Sequence, residues 1–280
     1  MIDLHTHSEY SDGTDQPGEL VAKAAAAGLS AVALTDHDTF DGLGEAYAAG
    51  AAAGVQVVGG LELSAEYLGA SVHLLGYGPN PGDPALGAEL AKLRASRTRR
   101  IPATLERLAA LGMPISAAAW SQSVGDSPSP GRPHVADAMI LEGYVATRDE
   151  AFHDYLDTAA DAYVPRYYTP LLTAIDLIRG AGGVAVIAHP WSRDSLAVLS
   201  PEVLADLAAH GLDGIEADHH DHPPEFRARL RALAADLGLL ATGSSDYHGL
   251  GKQNHELGSC VTEPEVFAEI MNRVESRNYE

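Results

Sequence analysis

Ile2-Asp3-Leu4-His5-Thr6-His7-Ser8-Glu9-Tyr10-Ser11-Asp12-Gly13 is the stretch that decides how the chain is read. Ile2 to Leu4 reads as a short buried strand. His5 and His7 sit two apart, so an extended backbone points both imidazoles to one side. Two neutral imidazoles side by side suit a borderline cation such as Zn or Mn. Asp12, in a Ser-Asp-Gly turn, adds a hard oxygen donor close by. A solvated N-terminus that happens to carry two histidines is the competing reading. The rest of the chain weighs against it, because other strands end the same way.

Working outward, Pro17 to Ala27 reads as a helix with Gly28 as its stop. Ser30 to Thr35 is a buried strand ending in Asp36-His37-Asp38. An alanine-rich helix from Gly42 to Ala53 leads to a third strand, Val55 to Leu61, which delivers Glu62. Ala70 to Tyr77 is a fourth, with His73 inside it. After Pro170 the pattern resumes with a helix over Leu171 to Arg179. Gly183 to Ala188 then ends in His189-Pro190, and Gly214 to Ala217 ends in Asp218-His219-His220-Asp221-His222. Leu239 to Ser245 ends in Asp246-Tyr247-His248. Strand–helix alternation implies parallel pairing with right-handed crossovers. Parallel barrels build their sites at the C-terminal ends of strands. His5, His7, Asp12, His37, Glu62, His73, His189, Asp246 and His248 all fall at or near such ends. Nine donors exceed what one ion needs and fit two or three clustered divalent cations, with a carboxylate bridging a pair. Mn is the first choice, with Zn or Fe as alternatives. In the string Asp218 to His222, His222 is a candidate substrate contact and the others read as solvated. His153, His210 and His255 have no supporting context.

Residues 79–164 break the alternation and read as a mainly helical insert, so residues 1–78 and 165–280 form the barrel. Glu89 to Leu111 is one long helical stretch with Pro102 as a candidate break. Half of the chain's 18 Lys and Arg lie between Lys92 and Arg166, which suggests an anion-facing cap. A solvated helix face is the plainer account of the Lys92 to Arg107 run.

With 280 residues, 46% hydrophobic content and one cysteine, the chain reads as an α/β protein of a reducing compartment. No basic and apolar leader and no membrane-length apolar run is visible, so a cytoplasmic location is expected. A formal charge of -21 disfavours a stable complex with long nucleic acid. No Gly-x-Ser-x-Gly elbow, Walker A or Rossmann pattern occurs.

Asp3-Leu4-His5-Thr6-His7-Ser8 with Ser11-Asp12-Gly13, Thr35-Asp36-His37-Asp38, Ala188-His189-Pro190 and Ser245-Asp246-Tyr247-His248-Gly249 together resemble the motifs of the PHP (polymerase and histidinol phosphatase) phosphoesterases. Val72 to Tyr77 and Gly131-Arg132-Pro133-His134 resemble the branch holding nucleoside 3′,5′-bisphosphate phosphatases and a 5′-to-3′ exoribonuclease. The resemblance implies a distorted (β/α)7 barrel and three metal sites. His5, His7, Glu62 and Asp246 would hold the first. Glu62 would bridge to a second with His73 and His189, and Asp12, His37 and His248 would hold a third. Arg132 and His134 would meet the substrate phosphate. Arg193 stands slightly displaced from the family's arginine, and Arg166 is a further candidate for an extra phosphate. Asp246 is the expected group to position or accept the proton, with His134 or His222 protonating the leaving oxygen. The expected activity is hydrolysis of a small phosphorylated nucleotide by a metal-bridged hydroxide, first a nucleoside 3′,5′-bisphosphate losing its 3′-phosphate. The alternatives are an exoribonuclease, a histidinol-phosphatase-like enzyme, an amidohydrolase and a non-catalytic metal binder. Oligomeric state is left open.

Overall fold

The computed structural model describes residues 1–125, 127 and 130–278, apart from the side chains of Arg193 and Asp194. Its centre is one curved sheet. The strands are β1 (Ile2–Asp3), β2 (Ala31–Leu34), β3 (Gln56–Tyr67), β4 (Ala70–Tyr77), β5 (Thr169–Pro170), β6 (Val184–Ile187), β7 (Gly214–Asp218) and β8 (Leu240–Gly243). Their order is β1-β2-β3-β4-β6-β7-β8, with the two-residue β5 pairing β3. A bridge between Thr6 and Tyr247 joins the segments that follow β1 and β8, which nearly closes the sheet into a barrel.

Pairing is parallel except at β4, which runs antiparallel to both β3 and β6. The expectation of uniformly parallel strands fails here for a simple reason. Only Leu68 and Gly69 separate β3 from β4, and a parallel crossover needs about a dozen residues. Both turn residues have positive φ, 51° and 83°, as a tight two-residue hairpin turn requires. The reversal has a consequence for the site. Because β4 runs backwards, its first half lies beside the C-terminal half of β3, and His73 pairs with Ser64, two residues past Glu62.

Helices cover the sheet. Those of the first half are α1 (Pro17–Ala26) and α2 (Leu43–Ala53). Pro17 opens α1 where no helical N–H partner is needed, and Gly54 stops α2 in the left-handed region at φ 72°. Next come α3 (Pro84–Ala110), α4 (Ala117–Val124), α5 (Arg132–Leu141) and α6 (Arg148–Ala151), which runs into a π-helical turn at Phe152–Leu156. Then follow α7 (Leu171–Gly180), α8 (Pro201–His210), α9 (Pro224–Leu237) and α10 (Pro264–Asn278). Helix α3 continues through Pro102 without a break. Its first half sends Leu86, Leu90 and Leu93 into the layer between helices and sheet with Leu63, Leu74 and Ile175. Its second half sends Ile101 and Leu108 into a separate core with Val135, Met139 and Leu156. A third apolar cluster fills the barrel interior, where Leu4, Val58, Leu75, Tyr77 and Val186 meet Ile270 of α10.

Candidate metal centre

The segment after β1 puts His5 and His7 fully inside the mouth, with their Nε2 atoms 3.0 Å apart. Glu62 Oε2, on β3, lies 3.4 Å from His5 Nε2 and 3.2 Å from His7 Nε2. Asp246 Oδ1, after β8, lies 3.4 and 3.5 Å from the same two nitrogens. The other Glu62 oxygen faces His73 Nδ1 at 2.8 Å and His189 Nε2 at 3.2 Å. Asp12 completes the cluster, 3.3 Å from His248 Nε2 and 3.7 Å from His37 Nε2. The turn that carries Asp12 folds back on the backbone of His7 so tightly that a Cβ at Gly13 would collide with the His7 carbonyl. All nine residues singled out as metal donors therefore meet in one place.

Donor atoms within 4.8 Å of one another form several groups. One is His7, Asp12, His37 and His248, one is His5, His7 and Asp246, and one is His37, Glu62 and His73. These overlap the sets implied by family resemblance without coinciding with them. The donor chemistry fits divalent cations, since imidazole and carboxylate mix in every group. His37 Nδ1 and His73 Nδ1 strengthen the fit: both are buried and face Glu62, yet neither has hydrogen-bonding geometry. Lone pairs converging on a carboxylate in this way are what shared cations satisfy.

Electrostatics in the cluster are strong. Burial disfavours charge on Glu62, but His73, His37 and His5 outweigh it and hold the carboxyl well below its usual range. Burial likewise opposes the Asp246 anion, and Lys252, His5 and His248 overcome it. Burial pushes the His37 imidazole down to about 3. Backbone strain gathers here too. His189, Asp246 and Asp38 (next to His37) adopt positive φ of 28°, 53° and 57°, a region that disfavours residues other than glycine.

Several residues around the cluster had no role in the sequence reading. Glu216 of β7 is fully buried. It lies 3.2 Å from His5 Nδ1, accepts the His189 N–H at 2.7 Å and accepts the Ser244 hydroxyl. It thus fixes the His5 ring, as carboxylates behind metal-binding histidines commonly do, and anchors the backbone that presents His189. Its one sequence signal was a carboxylate inside an otherwise apolar strand. His219 is buried, not solvated. The Asp221 N–H donates to its Nδ1 at 3.1 Å, so Nε2 carries the proton and donates to Asp246 Oδ2 at 3.1 Å. His255, read as lacking context, is buried with its Nδ1 2.6 Å from the Ser245 carbonyl, and it forms a fourth donor group with His219 and Asp246. Lys252 donates to Asp246 Oδ2.

A cavity of about 620 Å³ opens onto the cluster. Arg132, Arg148, Phe152, Tyr168 and Lys252 line its outer part. Arg132 Nη1 donates to the Leu156 carbonyl at 2.9 Å and lies 3.5 Å from Asp157 Oδ1, and the guanidinium stacks over Phe152 at 5.2 Å while lining the cavity. The remaining substrate candidates are not among the described lining residues. His134 is buried, and its Nδ1 accepts the Gly131 N–H at 3.0 Å, capping α5. Arg166 donates to Ser64 Oγ at 2.9 Å and stacks on Tyr168 at 4.3 Å. His222 is buried with its Nδ1 donating to the Ala217 carbonyl at 3.0 Å. The Arg193 side chain lies outside the described residues.

Comparison with known proteins places this geometry. A family model described as the PHP domain matches residues 3–117. A 3′,5′-nucleoside bisphosphate phosphatase of Chromobacterium violaceum is 35% identical over 99% of this chain and 97% of its own length. A 5′-3′ exoribonuclease of Haemophilus influenzae is 32% identical over 88% of this chain and 89% of its own. A solved structure from Bifidobacterium adolescentis, described as a metal-dependent phosphoesterase, superposes with a TM-score of 0.91 and 38% identity. It covers 97% of this chain and 96% of that one. The barrel, the histidine–carboxylate mouth and the full-length similarity together make this chain a member of the PHP domain family, a metal-dependent phosphoric ester hydrolase.

Proposed function

We propose that the chain removes a phosphate from a small phosphorylated nucleotide, first a nucleoside 3′,5′-bisphosphate losing its 3′-phosphate. The observation that carries this reading is one cavity of about 620 Å³ joining the donor cluster to the Arg132 guanidinium. That volume suits one small ligand. The relative named for this activity aligns along the whole chain.

In this reading His5, His7, Glu62 and Asp246 would hold one divalent cation, Glu62 would be shared with a second held by His73 and His189, and Asp12, His37 and His248 would hold a third. Mn is the first choice, with Zn or Fe as alternatives. Such cations supply a strong nucleophile at neutral pH by lowering the pKa of water, and they neutralise charge on the phosphoryl group. Arg132 grips phosphoryl oxygens with the part of its fork left free. Glu216, itself accepting the Ser244 hydroxyl, holds the His5 ring, so its Nε2 stays aimed at the centre. Asp246, held as an anion by Lys252 and His219, keeps a fixed orientation and serves as the acceptor of a hydrogen bond from the attacking water. His134, committed to capping α5, holds the backbone that presents Arg132.

Exonuclease action on 5′-phosphorylated RNA is the second reading, favoured by the exoribonuclease relative. The formal charge of -21 supports the small substrate, because a polymer requires a positive track. No described helix is long and apolar enough to cross a membrane. A cytoplasmic setting is the reading consistent with the single buried cysteine. The test compares kcat/KM for a bisphosphonucleoside and a 5′-phosphorylated oligoribonucleotide at several salt concentrations. Preference for the bisphosphonucleoside with a shallow salt dependence is expected. Preference for the oligonucleotide with a steep dependence overturns the first reading in favour of the second.

A further inference from the structure

A second basic cavity lies apart from the metal centre. It has a volume of about 400 Å³ and is lined by Lys92, Ser96, Arg99, Arg100 and Tyr167, among others. None of its described lining residues lines the catalytic cavity, and none carries a carboxylate. Arg100 is the unusual member. Only 5% of it is exposed, and its Nε and Nη2 atoms are buried without a hydrogen-bond partner. Among the described residues its compensating contact is the Tyr163 ring at 5.1 Å. A cation–π contact offsets only part of the cost of an unpaired buried charge. Burial, with the like charges of Arg132 and Arg166 nearby, pushes the Arg100 guanidinium down to about 10. Other insert arginines solve this problem with acids: Arg97 pairs with Asp38 and Arg148 with Asp137. Among the described residues Arg100 has no such partner, and the cavity against it adds two more cations, Lys92 and Arg99. Arg99 spends only its Nε, on the Ala95 carbonyl of its own helix, and Lys92 reaches Glu89 at 2.9 Å.

We propose that this outer cavity binds the dianionic phosphate of a small phosphorylated molecule, at a site separate from the one where hydrolysis occurs. Three cations around one concavity match a monoester dianion. A polymer backbone would instead need the positive charge to continue beyond it, on a chain of formal charge -21.

The probe is inorganic phosphate, titrated calorimetrically into the metal-loaded protein, without turnover. Wild type is expected to bind phosphate at two classes of site. Arg100→Gln and, separately, the exposed Arg99→Glu should weaken one class at least about tenfold, the loss of a charge-assisted contact. Both variants should leave inhibition of phosphate-ester hydrolysis by phosphate within about twofold of wild type. Arg100→Gln should also raise Tm in phosphate-free buffer and remove the rise that phosphate gives wild type. Should Arg100→Gln fail to fold, Arg99→Glu carries the binding test alone. Unchanged phosphate binding in the folded variants overturns the proposal. So does a parallel loss of phosphate inhibition, which would assign the anion to the catalytic cavity. Displacement of phosphate from this site by an oligoribonucleotide lacking terminal phosphates, with steep salt dependence, overturns the small-ligand assignment.

Discussion

The mouth of the barrel and residues 79–164 both gather charged side chains, and they use them differently. At the mouth, nine imidazoles and carboxylates converge, and each faces others of the set. In the insert, most of the cations are already engaged in holding the fold. Arg94 donates to the Asp38 carbonyl at 2.7 Å and Arg97 to the Asp38 carboxylate at 2.9 Å. Arg107 reaches the Tyr163 carbonyl, and Arg148 grips Asp137 with two nitrogens at 2.6 Å. Arg132 and Arg148 are the insert cations that reach the catalytic cavity. A residue at the end of a strand is aimed by the strand. A charge on a helix is aimed by whatever acid or carbonyl it finds.

This contrast can be broken by mutation. If Arg97 is structural, Arg97→Met removes the nearer cation from the fully buried Asp38, leaving Arg166 at 3.8 Å, and should lower stability by up to about 3–5 kcal/mol, measured by urea denaturation. A variant of normal stability with a raised KM would move Arg97 into the substrate site. At the mouth the effects should fall on catalysis instead. Glu62→Gln keeps shape but removes the shared anion, and turnover should drop roughly a hundredfold with little change in fold by circular dichroism. Wild-type turnover would mean that Glu62 bridges nothing. Glu216→Ala acts through His5 and His189, and metal affinity measured by competition with a chelator should weaken about ten- to a hundredfold. The smallest effect is expected at Arg132→Lys: about tenfold in kcat/KM, with metal content and stability unchanged, because lysine lacks the planar fork. Equal kinetics would return Arg132 to the same structural class as Arg97.

How much of this was legible in the sequence follows the same division. His5 and His7 were readable because a spacing of two on a strand fixes their direction, and His37, His189 and His248 because they stand just past apolar runs. The direction of β4 was not readable from its composition, although the two-residue spacer Leu68-Gly69 carried the signal. His219 was hidden because a histidine-rich loop looks solvated, and His255 because nothing beside it in sequence marks it, until the packing of the two rings against each other is known. Lys252 and the acidic partners of the insert arginines depend on contacts between segments far apart in the chain, which no local pattern encodes. Arg132 and His134 are two residues apart, yet one faces the cavity and the other turns back to cap α5.

The claim beneath all of this is that the mouth is a cation site on which hydrolysis depends. The direct measurement is phosphate release from a nucleoside 3′,5′-bisphosphate by one preparation, assayed as purified, after exhaustive chelation and after return of Mn, with bound metal quantified at each stage. The account predicts two or three divalent ions per chain, activity abolished by chelation and restored by Mn in proportion to the metal regained. Full activity in protein verified to be metal-free would contradict it.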